Sequence, residues 1–278
     1  MVIMAKPNIS AIFLRDNAAK HFLAMTYWAR DPSQPESVRR LYHSSCFVVE
    51  IDGYWLLLTA GHVINGIKEA MKRGVVHDTF ELQDQSAGHA FGSGVPYPFH
   101  ANDWAVLEIE ARGMDYAVAL LPELVMQALK AGGVRPITES VWGTASPDQM
   151  DDWLLIGIPS ETLRSEGTTY TLKLTLIPLV PTEAPSQQAE GRAENKLYAT
   201  LRTQPGIDGA IVHDIGGMSG GPIFGVKTVN GELRYWVIGI QSGWYQGSRI
   251  ASFCPLVGFM LTLQAHIRRE MKGKRRGE

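Results

Sequence analysis

The chain has 278 residues, 45% of them apolar and 19% charged, with 26 Lys and Arg against 28 Asp and Glu and a formal net charge of −2. That length holds one large domain or two small ones with real cores, and the balanced charge excludes a whole-molecule attraction to nucleic acid or to an acidic membrane surface. No run approaches 18 apolar residues, so no membrane span is expected, and the N-terminus lacks the pattern of an export signal, which makes the cytoplasm the expected location.

In chain order, residues 10–30 read as a helical or irregular arm, with Phe13, Ala18, Phe22, Met25 and Trp28 loosely at helical spacing, ended by "RDPSQPES". From Ser44 onward short β-type runs recur. "SCFVVEI" and "YWLLLTA" flank "DG", a hairpin signal, and "DWAVLEI" and "DYAVALL" form a second pair joined around "EARGM". A short helix is expected over "PELVMQALKAGG". The second half opens with "WLLIGIP", followed by "TYTLKLTLIPLV" and "KLYATLRT" as a long hairpin. Its connection at 181–195, "PTEAPSQQAEGRAEN", has the polar composition of a mobile surface loop. "GPIFGVKTVNGELRYWVIGIQSGW" is a further hairpin around "NG", "SRIASFCPL" a last strand, and "VGFMLTLQAHIRREM" a closing helix with a solvated basic tail. Short strands at regular spacing with few helices predict an all-β, mainly antiparallel protein, as a sandwich or barrels.

The chemistry turns on "GGMSGGP", which places Ser219 between glycines. A serine hydroxyl is a weak nucleophile at neutral pH and needs a general base, which in turn needs an orienting carboxylate. Of the eight histidines, His62 in "LLLTAGHVI" stands at the end of an apolar run, where small residues lead into a turn. His77, His89 and His100 lie in loop-like surroundings. Two carboxylates compete as the orienting acid: Asp103 in "NDWAVLEI" and Asp115 in "MDYAVALL", each just before an apolar strand and 41 and 53 residues after His62. The two cysteines, Cys46 and Cys254, are expected as buried free thiols, and neither lies in a CxxC or catalytic block. No cofactor or metal is expected.

"TAGHV", "DYAVALL" and "GGMSGGP" resemble the signature blocks of trypsin-like, chymotrypsin-fold serine peptidases, in that fold's His, Asp, Ser order. The resemblance spans roughly residues 41–262. It implies two six-stranded β-barrels with a C-terminal helix, preceded here by the N-terminal helical arm. The expected divisions are an arm at 1–40, a barrel at 41–135 carrying His and Asp, a barrel at 136–262 carrying Ser, and a helix end and tail at 263–278. The resemblance further implies a serine endopeptidase with Ser219 as nucleophile, His62 as base and Asp115, favoured over Asp103, as the orienting acid. The backbone N–H groups of Gly217 and Ser219 would form the oxyanion hole. His213, six residues before the serine, would form the pocket base, with Ser242 and Trp244 on the substrate-lining strand. The expected partner is a protein or peptide substrate, with no nucleic acid and no membrane.

One departure concerns control. Many secreted relatives carry an aspartate just before the serine that pairs with a newly cut N-terminus. Met218 stands there and cannot make that ion pair, so activation by a released ammonium is not expected. Bacterial stress-type relatives that also lack the aspartate often carry a C-terminal PDZ domain, which the residues after "FCPLVGF" are too few to form. The N-terminal arm and the 181–195 loop are the candidate sites of gating or self-cleavage. The alternative reading is a latent or non-catalytic peptide-binding member of the same fold.

Overall fold

The computed structural model of the chain describes residues 17–33, 39–84, 94–143, 146–166, 169–185, 195–202 and 212–274. The first unit contains β1 (Phe22–Arg30), β2 (Arg40–Ile51), β3 (Tyr54–Thr59), helix α1 (Gly61–Lys72), β4 (Val76–Asp84), β5 (Gly94–Pro96), β6 (Ala105–Ile109) and β7 (Met114–Leu120). Its strands pair antiparallel in the order β5-β4-β1-β2-β3-β7-β6. Helices α2 (Glu123–Ala131) and α3 (Glu139–Trp142) lead to the second unit. That unit holds β8 (Asp152–Gly157), the small hairpin β9 (Arg164–Glu166) and β10 (Thr169–Thr171), then β11 (Thr175–Thr182), β12 (Leu197–Leu201), β13 (Pro222–Val229), β14 (Glu232–Tyr245) and β15 (Ile250–Pro255). It closes as a barrel in the order β11-β12-β15-β14-β13-β8, and helix α4 (Leu256–Lys274) follows.

Local turn chemistry accounts for the two tight hairpins. Asp52 and Gly53 have φ of 50° and 85°, and Asn230 and Gly231 have 52° and 80°. Positive φ at both central positions marks a type I′ turn, whose twist matches that of its flanking strands. The "DG" and "NG" pairs therefore set the β2–β3 and β13–β14 registers.

The architecture is mostly antiparallel β with few helices, as the sequence predicts, and two details are corrected. The first unit pairs seven strands in one antiparallel sheet, where six were expected. The expected helical arm is helical only at 17–21, and Phe22–Arg30 is a central strand between β2 and β4; residues 1–16 lie outside the described residues. The misreading has a physical cause. Phe22 and Ala24, with Phe47 and Val49 of β2, face the second unit, where they meet Phe224, Ile240 and Leu256. Leu23 and Met25, with Cys46 and Val48, face the other way onto Ile64 and Ile67 of α1 and Leu129 of α2. A strand buried on both faces is apolar without alternation, so its period is ambiguous in sequence. Each buried Phe or Leu contributes about 1.5–3 kcal/mol, so this double-faced layer is a large share of the core.

Four links tie the units together. His21 donates Nδ1–H to the Arg135 carbonyl at 2.7 Å and accepts the Tyr235 hydroxyl at Nε2, at 2.9 Å. The segment after α2 straps onto β2 through Ile137, whose N–H donates to Val48 O and whose carbonyl accepts Glu50 N–H. Tyr116 donates to Pro255 O at 2.6 Å and stacks on Phe259 at 4.3 Å, while Arg268 of α4 grips both carboxylate oxygens of Asp52. Among the described residues, no helix is long and apolar enough to cross a membrane.

Candidate active site

The site forms where the ends of β3 and β7 meet the loop before β13. β3 runs out at Thr59, and instead of the expected turn the chain enters helix α1 at once, with Ala60 as its cap residue. Ala60 has no side chain to accept the free N–H groups of the first turn. Asp115 supplies that acceptor from β7: its Oδ1 takes the His62 N–H at 2.8 Å, while Oδ2 takes His62 Nδ1–H at 2.7 Å. One carboxylate thus fixes both the backbone and the ring of His62. With Nδ1 protonated, the neutral ring keeps its lone pair on Nε2. Asp115 is buried, whereas His62 is 38% exposed by side chain. Gly61 permits the approach, because a Cβ there would lie 3.0 Å from Asp115 Oδ1.

The sheet order separates the two competing acids. Thr59 pairs with Ala117, so the start of β7, with Asp115, lies beside the end of β3 that carries His62. β6 is one strand further out and antiparallel to β7, with Ala105 opposite Val118. Asp103 therefore precedes β6 at the opposite end of β7, where it is exposed.

Ser219 lies in a loop whose geometry is set by glycines. Gly217 has φ of 86° and Gly220 of 87°. At Gly217 a Cβ would fall 2.5 Å from Ser160 Oγ and 2.6 Å from His43 Nε2. The Gly217 carbonyl accepts Ser45 Oγ–H at 3.3 Å. Among the described residues, the N–H groups of Gly217 and Ser219 donate to no protein acceptor, while those of Met218, Gly220 and Gly221 donate to Ile215 O, Gln241 O and Met218 O. Met218 is fully buried and packs with Ile215, Ile223 and Phe253, an apolar anchor for the residue before the serine.

Four further contacts, invisible in the sequence, hold this loop. Glu161 accepts the N–H of His213 at 3.0 Å and of Asp214 at 3.1 Å. Asp214 Oδ1 accepts Gly216 N–H at 2.8 Å, and Ser160 N–H donates to Gly216 O at 2.6 Å. His43 closes the other flank, donating Nε2–H to Ile158 O at 2.9 Å; burial holds its ring below the ordinary histidine range, and so neutral.

His62, Gly217 and Ser219 line one cavity of about 1050 Å³. The expected pocket residues lie elsewhere. His213 is exposed, held by Glu161 and by Arg249 Nη1 on its carbonyl, and neither it nor Ser242 nor Trp244 lines that cavity. Ser242 sits at a bulge of β14. Past Gln241, β14 has left its partner β13, whose pairing ends at Pro222 with Ile240, so Ser242–Trp244 runs beside β15 and, among the described residues, no strand pairs with its other backbone edge. Both cysteines are buried and free; burial pushes the Cys254 thiol up to about 11 and that of Cys46 further. Among the described residues, no three His, Cys, Asp or Glu side chains gather as a metal site.

No protein-family model matches the sequence, and no curated protein matches it. Among solved structures, the chain is similar to the protease Anisep from Arthrobacter nicotinovorans, at 17% identity and a TM-score of 0.46 over 85% of this chain and 90% of that one. It is similar to the scabies mite inactivated protease paralogue S-I1 at 14% identity and a TM-score of 0.45, over 87% and 94% of the two chains. A third similarity, at 16% identity and a TM-score of 0.41 over 85% and 86%, is to a structure described for the Sesbania mosaic virus VPg protein.

Proposed function

We propose that this protein is a serine endopeptidase in which Ser219, His62 and Asp115 act as a catalytic triad. The observation that carries the reading is the doubly bonded Asp115–His62 pair, which opens onto the cavity that Ser219 also lines. In the proposed reaction Ser219 Oγ bonds to the scissile carbonyl carbon, and its proton passes to His62 Nε2. Asp115 holds the ring in the required tautomer and offsets the positive charge it gains. The carbonyl oxygen becomes an oxyanion, met by the N–H groups of Gly217 and Ser219, which have no other acceptor among the described residues. Such a donor is worth about 3–4 kcal/mol in the transition state. The C–N bond then breaks, the leaving amine takes the proton from His62, and water, deprotonated by the same ring, hydrolyses the ester to free Ser219. On the acyl side, the edge of Ser242–Trp244 that faces away from β15 suits an extended peptide that adds as a strand.

The test is labelling by a fluorophosphonate together with digestion of a peptide library, comparing the native protein with Ser219→Ala. Labelling and cleavage that both vanish in the variant support the reading. A folded native protein that neither labels nor cleaves sinks it in favour of a peptide-binding role.

A further inference from the structure

The cavity that starts at Ser219 does not run toward the expected pocket residues. It extends between the face of β1 and β2 that carries Tyr27 and Tyr42 and one face of α1, formed by Val63, Gly66, Ile67 and Ala70. On the strand side it reaches from His43 to Arg40, about 10 Å at 3.3 Å per residue. On the helix side it reaches from His62 to Arg73, about 16 Å at 1.5 Å per residue. It is long enough for three or four extended residues.

Two features of its walls are unexplained by packing. Gly66 lies in the interior of α1, where glycine costs about 0.5–1 kcal/mol relative to alanine, yet a Cβ there would meet nothing within 4 Å. Its missing side chain keeps the helix face of the cavity open. Ser44, 5% exposed and on the cavity wall, has a hydroxyl with no hydrogen-bond partner among the described residues.

We infer that this cavity is the binding cleft for the leaving side of the substrate, and that it selects a large apolar or aromatic side chain within the first two residues after the cut. The inference rests on the triad reading above. The acyl side is taken by the β14 edge, and none of His213, Ser242 or Trp244 lines the cavity. His62 protonates the departing amine, so the residues attached to that amine leave past His62, on the cavity side. The stacked rings of Tyr27 and Tyr42, 5.6 Å apart, with Val63 and Ile67 across from them and the gap at Gly66, form an apolar slot. Selection then comes chiefly from residues after the cut rather than from the one before it.

The test uses peptides with one fixed acyl half and Phe, Leu, Gly, Asp or Lys at the first or second position after the cut. Phe or Leu is expected to exceed Gly in kcat/KM by at least about tenfold at one of these positions, the range that a well-filled apolar pocket supplies. Gly66→Phe, which fills the slot, is expected to bring that ratio to near unity, with thermal unfolding checking the fold. A native ratio near unity at both positions overturns the inference without touching the triad reading. Independently, Ser219→Ala protein is titrated calorimetrically with free-amine tripeptides that carry Phe or Gly. Preferential binding of the Phe peptide, lost on Gly66→Phe, supports the cleft even if no substrate is turned over; equal binding or none overturns it.

Discussion

Glu161 accepts the backbone N–H of Asp214 at 3.1 Å, and the side chain of Asp214 in turn accepts the N–H of Gly216, one residue before the candidate oxyanion glycine. With the second Glu161 bond, to His213 N–H, a carboxylate from the loop after β8 braces the segment leading to Ser219. Met218, buried in the barrel, cannot take part in an ion pair, so this clamp and apolar packing do the ordering.

Glu161→Ala removes two charge-assisted hydrogen bonds, each worth about 1.5–3 kcal/mol. The expected outcome is a fall in kcat of about 10- to 100-fold. Glu161→Gln, with one acceptor oxygen left, is expected to lie between the two. Steady-state kinetics with active-site titration checks both, and an unchanged kcat in Glu161→Ala refutes the clamp.

Asp115→Asn replaces an acceptor with a donor facing His62 Nδ1 and so disfavours the productive tautomer. The expected loss in kcat is about 10⁴-fold, the size of this effect in Ser-His-Asp enzymes. Asp103→Asn, at the far end of β7, is expected to leave kcat unchanged. A large loss only at Asp103 would reverse the assignment.

The two positive-φ glycines beside Ser219 predict different failures. Gly217→Ala places a methyl against Ser160 Oγ and His43 Nε2, both side-chain atoms, and swings the N–H away from the proposed oxyanion position. A fall in kcat of about 10²-fold or more is expected, with the fold retained. Gly220→Ala drives its methyl into the Ser45 carbonyl and Thr59 Oγ1. Backbone cannot yield there, so destabilisation above about 3 kcal/mol is expected. Urea unfolding beside kinetics separates the two outcomes.

His21 predicts an acid limb of stability. Burial, opposed in part by the Arg135 carbonyl and helped by Lys20, lowers its pKa from 6.5 to about 4. The folded ring stays neutral where the unfolded ring takes up a proton. Its contribution is therefore complete above pH 6.5 and is lost as pH falls toward 4, amounting to about 3 kcal/mol. Urea unfolding from pH 7 to 4 is expected to show this slope in the native protein and a shallower one in His21→Gln. Equal slopes would remove His21 as its source.

The sequence by itself determined the hairpins and the three blocks around His62, Asp115 and Ser219. The reason is that turn residues, apolar runs and glycine clusters act over a few neighbouring positions. "DG" and "NG" needed nothing beyond their own φ preferences. The tertiary structure decided what depends on distant partners. Phe22–Arg30 is a strand because both its faces are covered, which no local period reveals. The meeting of Asp115 with His62 follows from β7, not β6, lying beside β3, and two similar stretches cannot declare their order in a sheet. Helix α1 starts at Gly61, directly after β3, and a carboxylate 53 residues beyond His62 in sequence caps its first turn. The clamp of Glu161 and the cleft between α1 and the first sheet are likewise long-range, arising only when segments far apart in the chain are packed together.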